Sequence, residues 1–243
     1  MIRAVFFDLD DTLCDAATAF QAGRAAAFAR LCARHPALTN HEVERAWAGV
    51  RETLFRELDA GRLTMAEVRL RRFRATLRAL GIADDTFADQ LDLLLGTTQL
   101  AHLALFPDAT VLDVLLGGPH VGIITNGAGD AHPDSQRSKA AHLGLLDRVD
   151  SFWVSDEMGY RKPDPRAFQP ALNAVGLAPA GCLYIGDAPA SDIVGANRAG
   201  LRSVLVWRAP SEPPPGAGDE RPVAIVQTLS ELPALIARID GGR

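Results

Sequence analysis

The sequence predicts an α/β fold in which a parallel β-sheet forms the core. Short, continuous apolar runs recur along the chain, and segments with helical periodicity lie between them. Continuous apolar runs are typical of parallel strands that are buried on both faces. Strands that alternate with helices place those helices on the two faces of the sheet. The expected architecture is therefore a Rossmann-like, three-layer core.

Six segments carry the strand signature, and five helical segments lie between or after them. The predicted strands are residues 2–7, 120–125, 151–155, 182–186, 202–207 and 223–226. The predicted helices of this part of the chain are residues 108–116, 138–143, 165–175, 191–199 and 230–239. A stretch rich in proline and glycine at 209–222 is predicted to be a surface loop.

The alternation is interrupted between the first and second strands. Residues 15–103 contain no strand-like run, and their apolar residues recur at helical spacing. Such a block is too long for a simple crossover between parallel strands. We expect about four helices that form an inserted α-helical cap domain at 15–103. Residues 1–14 and 104–243 would form the α/β core domain.

Composition argues against some classes of function. The net charge of -5 and the pI of about 5.7 give no support for a nucleic-acid partner, which usually meets a basic surface. No stretch approaches the roughly 20 apolar residues that span a bilayer. The three cysteines, Cys14, Cys32 and Cys182, are widely spaced and form no metal-binding pattern. We therefore expect reduced thiols, a cytoplasmic protein and no membrane partner.

Acidic residues crowd the end of the first predicted strand. Asp8, Asp10 and Asp11 occur within four positions, and Thr12 follows them. Three neighbouring carboxylates repel one another, and a bound cation would offset that repulsion. The simpler alternative is a solvated turn that caps the following helix.

Polar residues also follow the second and fourth strands and precede the helix at 165–175. Thr125 and Asn126 end the second strand, where a hydroxyl and backbone amides can hold phosphate oxygens. Lys162 directly precedes a proline, which restricts the backbone and so gives the positive charge of the lysine a defined position. Each of these groups could instead be a loop cap or a solvent-facing side chain. Their joint occurrence is more informative, because ligands bind at the carboxyl ends of parallel strands.

The fourth group is Gly186, Asp187 and Asp192, which follow the fourth strand. A glycine lets the backbone approach a ligand closely, and the two carboxylates add acidic oxygens at the same sheet edge. Asp192 could alternatively cap the next helix.

These four groups, in this order, resemble the motifs of the haloacid dehalogenase-like (HAD) hydrolase superfamily, in the branch with a helical cap after the first strand. The segment at 8–12 (DLDDT) matches the DxDxT motif, Thr125 matches the second motif and Lys162 the third. Residues 186–192 (GDAPASD) match the GDxxxxD form of the fourth. The resemblance covers the whole chain. The loop at 128–135 is a few residues longer than is usual in this superfamily.

The resemblance implies a phosphatase that acts through an aspartyl-phosphate. Asp8 would be the nucleophile, and Asp10 would protonate the leaving group and later activate water. Thr125, Asn126 and Lys162 would bind the phosphoryl group of a small phosphorylated metabolite.

The resemblance also implies Mg²⁺ as the cofactor. Asp8, the backbone carbonyl of Asp10 and Asp187 would hold the ion, which prefers oxygen ligands. The implied supporting residues are Thr12, Gly186 and Asp192. The helical block would act as a lid that excludes water. Candidate substrate-reading residues in the lid are Arg24, Arg51, Arg62 and the arginines of 69–78.

Several alternatives stay open at this stage. A sugar phosphomutase uses the same four motifs. A 2-haloacid dehalogenase is disfavoured by Asp10, because no alkoxide leaves in that reaction. A phospho-receiver module combines similar residues but is shorter and lacks the helical block. The identity of the substrate and the choice between monomer and homodimer are also open.

Overall fold

The computed structural model describes residues 1–208 and 218–241. Most of the loop predicted at 209–222 therefore lies outside the described residues. None of the helices within the described ranges combines the length and apolar character needed to cross a lipid bilayer. All three cysteines are free thiols.

The chain divides into two units. The sheet unit comprises residues 1–15, 104–126 and 140–243, and the helical unit comprises residues 16–103 and 127–139. The sequence predicts a sheet domain that includes the whole of 104–243, whereas the structure groups the segment at 127–139 with the helices.

The described part of the sheet unit contains six parallel strands in the order β3-β2-β1-β4-β5-β6. The strands are β1 (Ala4–Phe7), β2 (His120–Thr125), β3 (Ser151–Val154), β4 (Cys182–Gly186), β5 (Arg202–Val206) and β6 (Ala224–Val226). This all-parallel sheet confirms the predicted α/β class.

Ten α-helices occur among the described residues. They are α1 (Ala16–Arg34), α2 (Asn40–Asp59), α3 (Met65–Ala79), α4 (Asp85–His102), α5 (Val111–Leu115), α6 (Gln136–His142), α7 (Ser155–Met158), α8 (Gln169–Val175), α9 (Val194–Arg198) and α10 (Leu232–Gly241). Short 3-10 or π turns precede α5, α8, α9 and α10.

The strand order brings three strand ends together. β1 lies between β2 and β4, with Phe7 paired to Ile123 on one side and to Ile185 on the other. The chain moves outward from β1 through β2 to β3, and then returns to the opposite side of β1 to form β4. Such a switch point opens a crevice at the carboxyl edge of a parallel sheet. The residues that follow β1, β2 and β4 therefore meet at one place.

Alternate side chains of the central strands build the core beneath that edge. Phe6 and Tyr184 point to the same face and are fully buried against Phe168 and Ala171. The rings of Phe168 and Tyr184 meet edge to face, with their centroids 5.0 Å apart. Each buried side chain of this size contributes roughly 1.5–3 kcal/mol. Tight packing of this kind holds the strand ends in register.

Four helices, α1 to α4, make up most of the helical unit, as the sequence predicts for this block. α2 and α3 each begin with a capping box, formed by Thr39 with Glu42 and by Thr64 with Glu67. These boxes satisfy backbone N–H groups that a helix start leaves without partners. The core of the unit is aromatic and includes Trp47, whose ring centroid lies 4.9 Å from that of Phe73.

Ion pairs attach the segment at 127–139 to the helical unit. Arg69 of α3 pairs with Asp130. The Nη1 atom of Arg72 lies 2.9 Å from Oδ2 of Asp134. Both guanidinium groups are largely buried, so these pairs are less screened than pairs at the surface. This explains why the segment groups with the helices rather than with the sheet.

Candidate active site

The turn after β1 places the first acidic group. The backbone N–H of Asp8 donates to the Ile185 carbonyl at 2.8 Å, which extends the pairing of β1 with β4 by one residue. Asp11 then adopts a left-handed conformation with φ of 60°, which aspartate tolerates better than most residues. The hydroxyl of Thr12 donates to Oδ1 of Asp187 at 3.1 Å. The turn is thereby tied to the end of β4.

Lys162 is buried at the centre of the site, with 2% of its surface exposed. Its Nζ atom lies 2.8 Å from Oδ1 of Asp8 and 2.7 Å from Oδ1 of Asp192. It also donates a hydrogen bond to the hydroxyl of Tyr184 at 2.6 Å. The sequence contains 25 lysine and arginine residues, but only Lys139 and Lys162 are lysines, and both are buried. A solvent-facing Lys162, which the sequence left open, is therefore excluded.

The carboxamide of Asn126 holds the backbone of Lys162. Its Nδ2 donates to the Lys162 carbonyl at 2.9 Å, and its Oδ1 accepts from the Lys162 N–H at 2.8 Å. Asn126 is expected from the sequence to bind substrate. In the structure both ends of its carboxamide are used to position the lysine.

Asp192 is fully buried and its two oxygens have protein donors. Oδ1 accepts from Lys162, and Oδ2 accepts from the Ala188 N–H at 3.0 Å. Gly186 packs directly against this carboxylate, and a side chain at position 186 would collide with it. The glycine of the fourth motif is therefore needed to admit Asp192.

The remaining predicted residues lie at the same strand ends. Thr125 is the last residue of β2 and is buried. Asp10 lies in the turn after β1 and is partly buried. The structure thus brings together residues from all four groups that the sequence singled out.

Three of the carboxylates fit a metal ion. Asp8, Asp187 and Asp192 each offer an oxygen, and these oxygens lie within 4.8 Å of one another. Oxygen donors of this kind suit Mg²⁺. Because both oxygens of Asp192 are already hydrogen-bonded, Asp8 and Asp187 fit the role of ligands better than Asp192 does.

Burial and charge perturb the groups of this cluster. Burial raises the pKa of Asp8 to about 7, and Lys162 opposes the rise while Asp192 and Asp10 add to it. Burial also raises the pKa of Asp187 to about 8, and the charges of Asp192 and Asp8 add to that rise. Burial alone would lower the pKa of Lys162, but the carboxylates outweigh it and the net shift is upward. The ammonium therefore stays charged at neutral pH.

These shifts predict how stability depends on pH in the absence of metal. The pKa values of Asp8 and Asp187 in the folded state lie above the ordinary value of 3.8. Between about pH 4 and pH 7 the folded protein therefore retains protons that the unfolded chain releases. As a consequence, the free energy of unfolding falls as the pH rises. Each retained proton contributes a slope of up to about 1.4 kcal/mol per pH unit.

Urea denaturation in EDTA at pH 5, 6, 7 and 8 measures this slope. The same series with Mg²⁺ is expected to be flatter, because a metal binds the deprotonated carboxylates. Stability in EDTA that increases from pH 5 to pH 8 would contradict the predicted direction.

The arginines predicted to read substrate are engaged within the helical unit. Arg62 pairs with Glu57 at 2.6 Å, and the side chains of Arg24 and Arg51 lie over the rings of Phe28 and Phe55. The arginine-dense helix is α3, and its arginines pair with acidic residues of the same unit. These arginines are Arg69, Arg71, Arg72, Arg74 and Arg78. Their contacts thus stabilise the helical unit itself.

Sequence reasoning missed two residues that support the site. Tyr184 contacts Lys162, but within the apolar run of β4 it reads as a core residue. The one sequence feature that could have indicated its role is a hydroxyl group in a buried strand, because a buried hydroxyl requires a hydrogen-bond partner. Arg208 donates to the Thr12 carbonyl at 3.0 Å and pairs with Asp108 at 2.8 Å. No sequence pattern distinguishes Arg208 from the other arginines.

Comparison with known proteins connects this site to a family. The family model described as haloacid dehalogenase-like hydrolase matches residues 2–200. The phosphoserine phosphatase of Thermus thermophilus is 30% identical over 94% of this chain and 100% of its own length. The N-acylneuraminate-9-phosphatase of Rattus norvegicus is also 30% identical, over 98% of this chain and 95% of its own.

Two solved structures show the same fold. The HAD-hydrolase YfnB of Bacillus subtilis, bound to magnesium, is 25% identical with a TM-score of 0.70, over 97% of this chain and 98% of its own. A 2-haloacid dehalogenase of Pseudomonas syringae is 29% identical with a TM-score of 0.76, over 98% of this chain and 100% of its own.

Proposed function

Because this chain belongs to the haloacid dehalogenase-like hydrolase family, we propose that it is a Mg²⁺-dependent phosphoric monoester hydrolase of a small phosphorylated metabolite. The observation that carries the proposal is the buried cluster in which Lys162 lies between Asp8 and Asp192, with Asp187 beside them. The phosphatases that match nearly the whole chain support the same activity.

Asp8 is the proposed nucleophile. Its carboxylate would attack phosphorus, form an aspartyl-phosphate and displace the alcohol of the ester. Asp10, in the same turn, would give its proton to the departing alkoxide and thus become a base. It would then take a proton from a water molecule that attacks phosphorus, which releases inorganic phosphate and restores Asp8.

Attack by an anion on a phosphate dianion requires compensating positive charge. Two like charges about 4 Å apart repel with roughly 4 kcal/mol at an effective dielectric constant near 20. Lys162 offers one positive charge directly beside Asp8, and its raised pKa keeps it protonated. Together with the Thr125 hydroxyl, it would bind the phosphoryl oxygens as charge develops in the transition state.

The second source of positive charge in this proposal is Mg²⁺. Asp8, the backbone carbonyl of Asp10 and Asp187 would hold it, while Asp192 supports the site through Lys162 and Ala188. When bound, the ion supplies electrostatic shielding between the phosphate and the carboxylates. The YfnB structure, which is bound to magnesium, supports the choice of ion.

Metal removal tests the proposal. Release of inorganic phosphate from a panel of phosphate esters, including phosphoserine and N-acylneuraminate 9-phosphate, is expected to fall at least about 10²-fold in EDTA. Added Mg²⁺ should restore the activity. A thermal melt in both buffers checks that the protein stays folded. Full activity in EDTA would contradict the metal role.

A 2-haloacid dehalogenase is the second candidate, because one such enzyme matches the chain with a TM-score of 0.76. Asp10 argues against it, since displacement of halide from carbon leaves no alkoxide to protonate. Halide release from 2-chloropropionate would favour this candidate over the phosphatase. Formation of an isomeric sugar phosphate without release of phosphate would instead favour a phosphomutase.

The helical unit is the proposed lid. The YfnB structure reveals interdomain movement, which supports a lid that moves relative to the sheet unit. A cytoplasmic location fits the three free thiols, which reducing conditions preserve.

A further inference from the structure

The mechanism above does not use Tyr184, although its hydroxyl lies in the site. Tyr184 is the middle residue of β4 and is fully buried. A hydroxyl buried in this way destabilises the fold unless it has hydrogen-bond partners. Its neighbours in the strand, Leu183 and Ile185, are apolar. The partners of the hydroxyl therefore indicate why a tyrosine occupies a position that phenylalanine could fill.

The hydroxyl forms one link of a short hydrogen-bonded chain. It lies 2.9 Å from the Ile124 carbonyl, which can only accept, so the tyrosine donates its single proton there. The contact with Asp192 Oδ1 is longer, at 3.3 Å. The oxygen is then free to accept from Lys162, whose Nζ lies 2.6 Å away. Tyr184 thus connects the end of β2 to the ammonium group.

The ammonium of Lys162 donates hydrogen bonds to Asp192 and Tyr184 and forms an ion pair with Asp8. Asp192 and Tyr184 are both fully buried, so their positions are set by the core. These two fixed acceptors hold the ammonium nitrogen in place, with Oδ1 of Asp8 2.8 Å from it in an ion pair.

We propose that Tyr184 is a positioning residue for Lys162. Its hydroxyl, with Asp192, holds the ammonium nitrogen beside Asp8 and beside the oxygens of the phosphoryl group whose phosphorus Asp8 attacks. The proposal rests on the proposed function, in which Lys162 binds the phosphoryl group. It extends that function by naming a residue that controls where the positive charge lies.

The substitution Tyr184→Phe isolates the hydroxyl. The ring keeps its edge-to-face contact with Phe168. The matched control is Ser203→Ala, because Ser203 pairs with Tyr184 in the register of β4 and β5 and is also fully buried. Its hydroxyl donates to Asn197 at 2.7 Å instead of contacting Lys162. Both variants lose one buried hydroxyl at the same level of the sheet.

Steady-state kinetics of phosphate release distinguish positioning from structural support. Tyr184→Phe is expected to lower kcat about tenfold and to change KM by less than about twofold. The reason is that an ammonium of Lys162 that is out of position weakens the binding of the transition state more than that of the substrate. Ser203→Ala is expected to leave kcat within about twofold of the original value. In a Lys162→Met background, Tyr184→Phe should have no further effect, because its partner is absent.

Two results would overturn the proposal. One is an unchanged kcat in Tyr184→Phe. The other is an equal loss of kcat when Tyr184→Phe is introduced into the original protein and into the Lys162→Met variant. That result would indicate a structural role for Tyr184. If Tyr184→Phe is not recovered folded, Tyr184→Met replaces it in the same comparison. An unsubstituted protein that releases no phosphate would instead refute the proposed function, and this inference would fall with it.

Discussion

Replacement of Asp8 by asparagine is expected to lower kcat for phosphate release by at least about 10³-fold. The amide is a poor nucleophile, so the aspartyl-phosphate cannot form. The fold should survive, because burial already disfavours the charged form of Asp8 and raises its pKa to about 7. Lys162 also retains Asp192 as a partner. Phosphate release and a thermal melt, measured on the same preparation, test the expected loss of activity and the expected retention of the fold.

Asp113→Asn is the matched control for this experiment. Asp113 is an exposed carboxylate of the sheet unit, and it pairs with Arg148 at 2.9 Å. Its loss should cost at most about 1 kcal/mol and leave kcat unchanged. If Asp8→Asn retained full activity, the assignment of the nucleophile would be wrong. If it unfolded while the control did not, Asp8 would have to be regarded as a structural residue.

Replacement of Lys162 by methionine is expected to affect both activity and stability. Methionine fills a similar volume but leaves Asp8 and Asp192 without their cation. We expect kcat/KM to fall roughly 10²- to 10³-fold, because a charge that stabilises the transition state is lost. The free energy of unfolding should fall by about 3 kcal/mol at pH 7 without metal, as is typical when one partner of a buried ion pair is removed.

The pH dependence of the lost stability of Lys162→Met identifies the cause of that loss. Lys162 lowers the pKa of Asp8, so without the ammonium that pKa rises further and Asp8 takes up a proton more readily in the folded state. The variant should therefore lose less stability at pH 5 than at pH 8. Arg198→Met, which breaks the exposed pair with Asp219, should cost less than about 1 kcal/mol at either pH. A deficit for Lys162→Met that is the same at pH 5 and pH 8 would contradict the electrostatic explanation.

Much of the sheet unit could be predicted because the sequence patterns that specify its strands are local. The bounds predicted for β2 and β4, 120–125 and 182–186, are those of the structure. Buried parallel strands are continuous apolar runs, and the strand ends are marked by polar residues. The predicted family resemblance is confirmed by the family model. It was recognisable because the motif residues occur in fixed order along the chain.

Other features depend on contacts between distant residues and have no local signal. The segment at 127–139 belongs to the helical unit through Arg69 and Arg72, about 60 residues earlier in the chain. The helix predicted at 191–199 begins with a π turn at Pro189–Ile193, where the Asp192 carboxylate turns inward to Lys162. Periodicity cannot indicate such a turn, because tertiary hydrogen bonds select it.

The near-absence of lysine from this chain has a practical consequence. The two ε-amino groups, those of Lys139 and Lys162, are both enclosed by the folded protein. An acylating reagent can reach either one only when the surrounding structure opens. The rate at which Lys162 becomes acylated, followed by peptide mass spectrometry, would therefore report how often the candidate active site opens to solvent. Vanadate, which mimics the phosphoryl group, should slow that reaction if it occupies the same place.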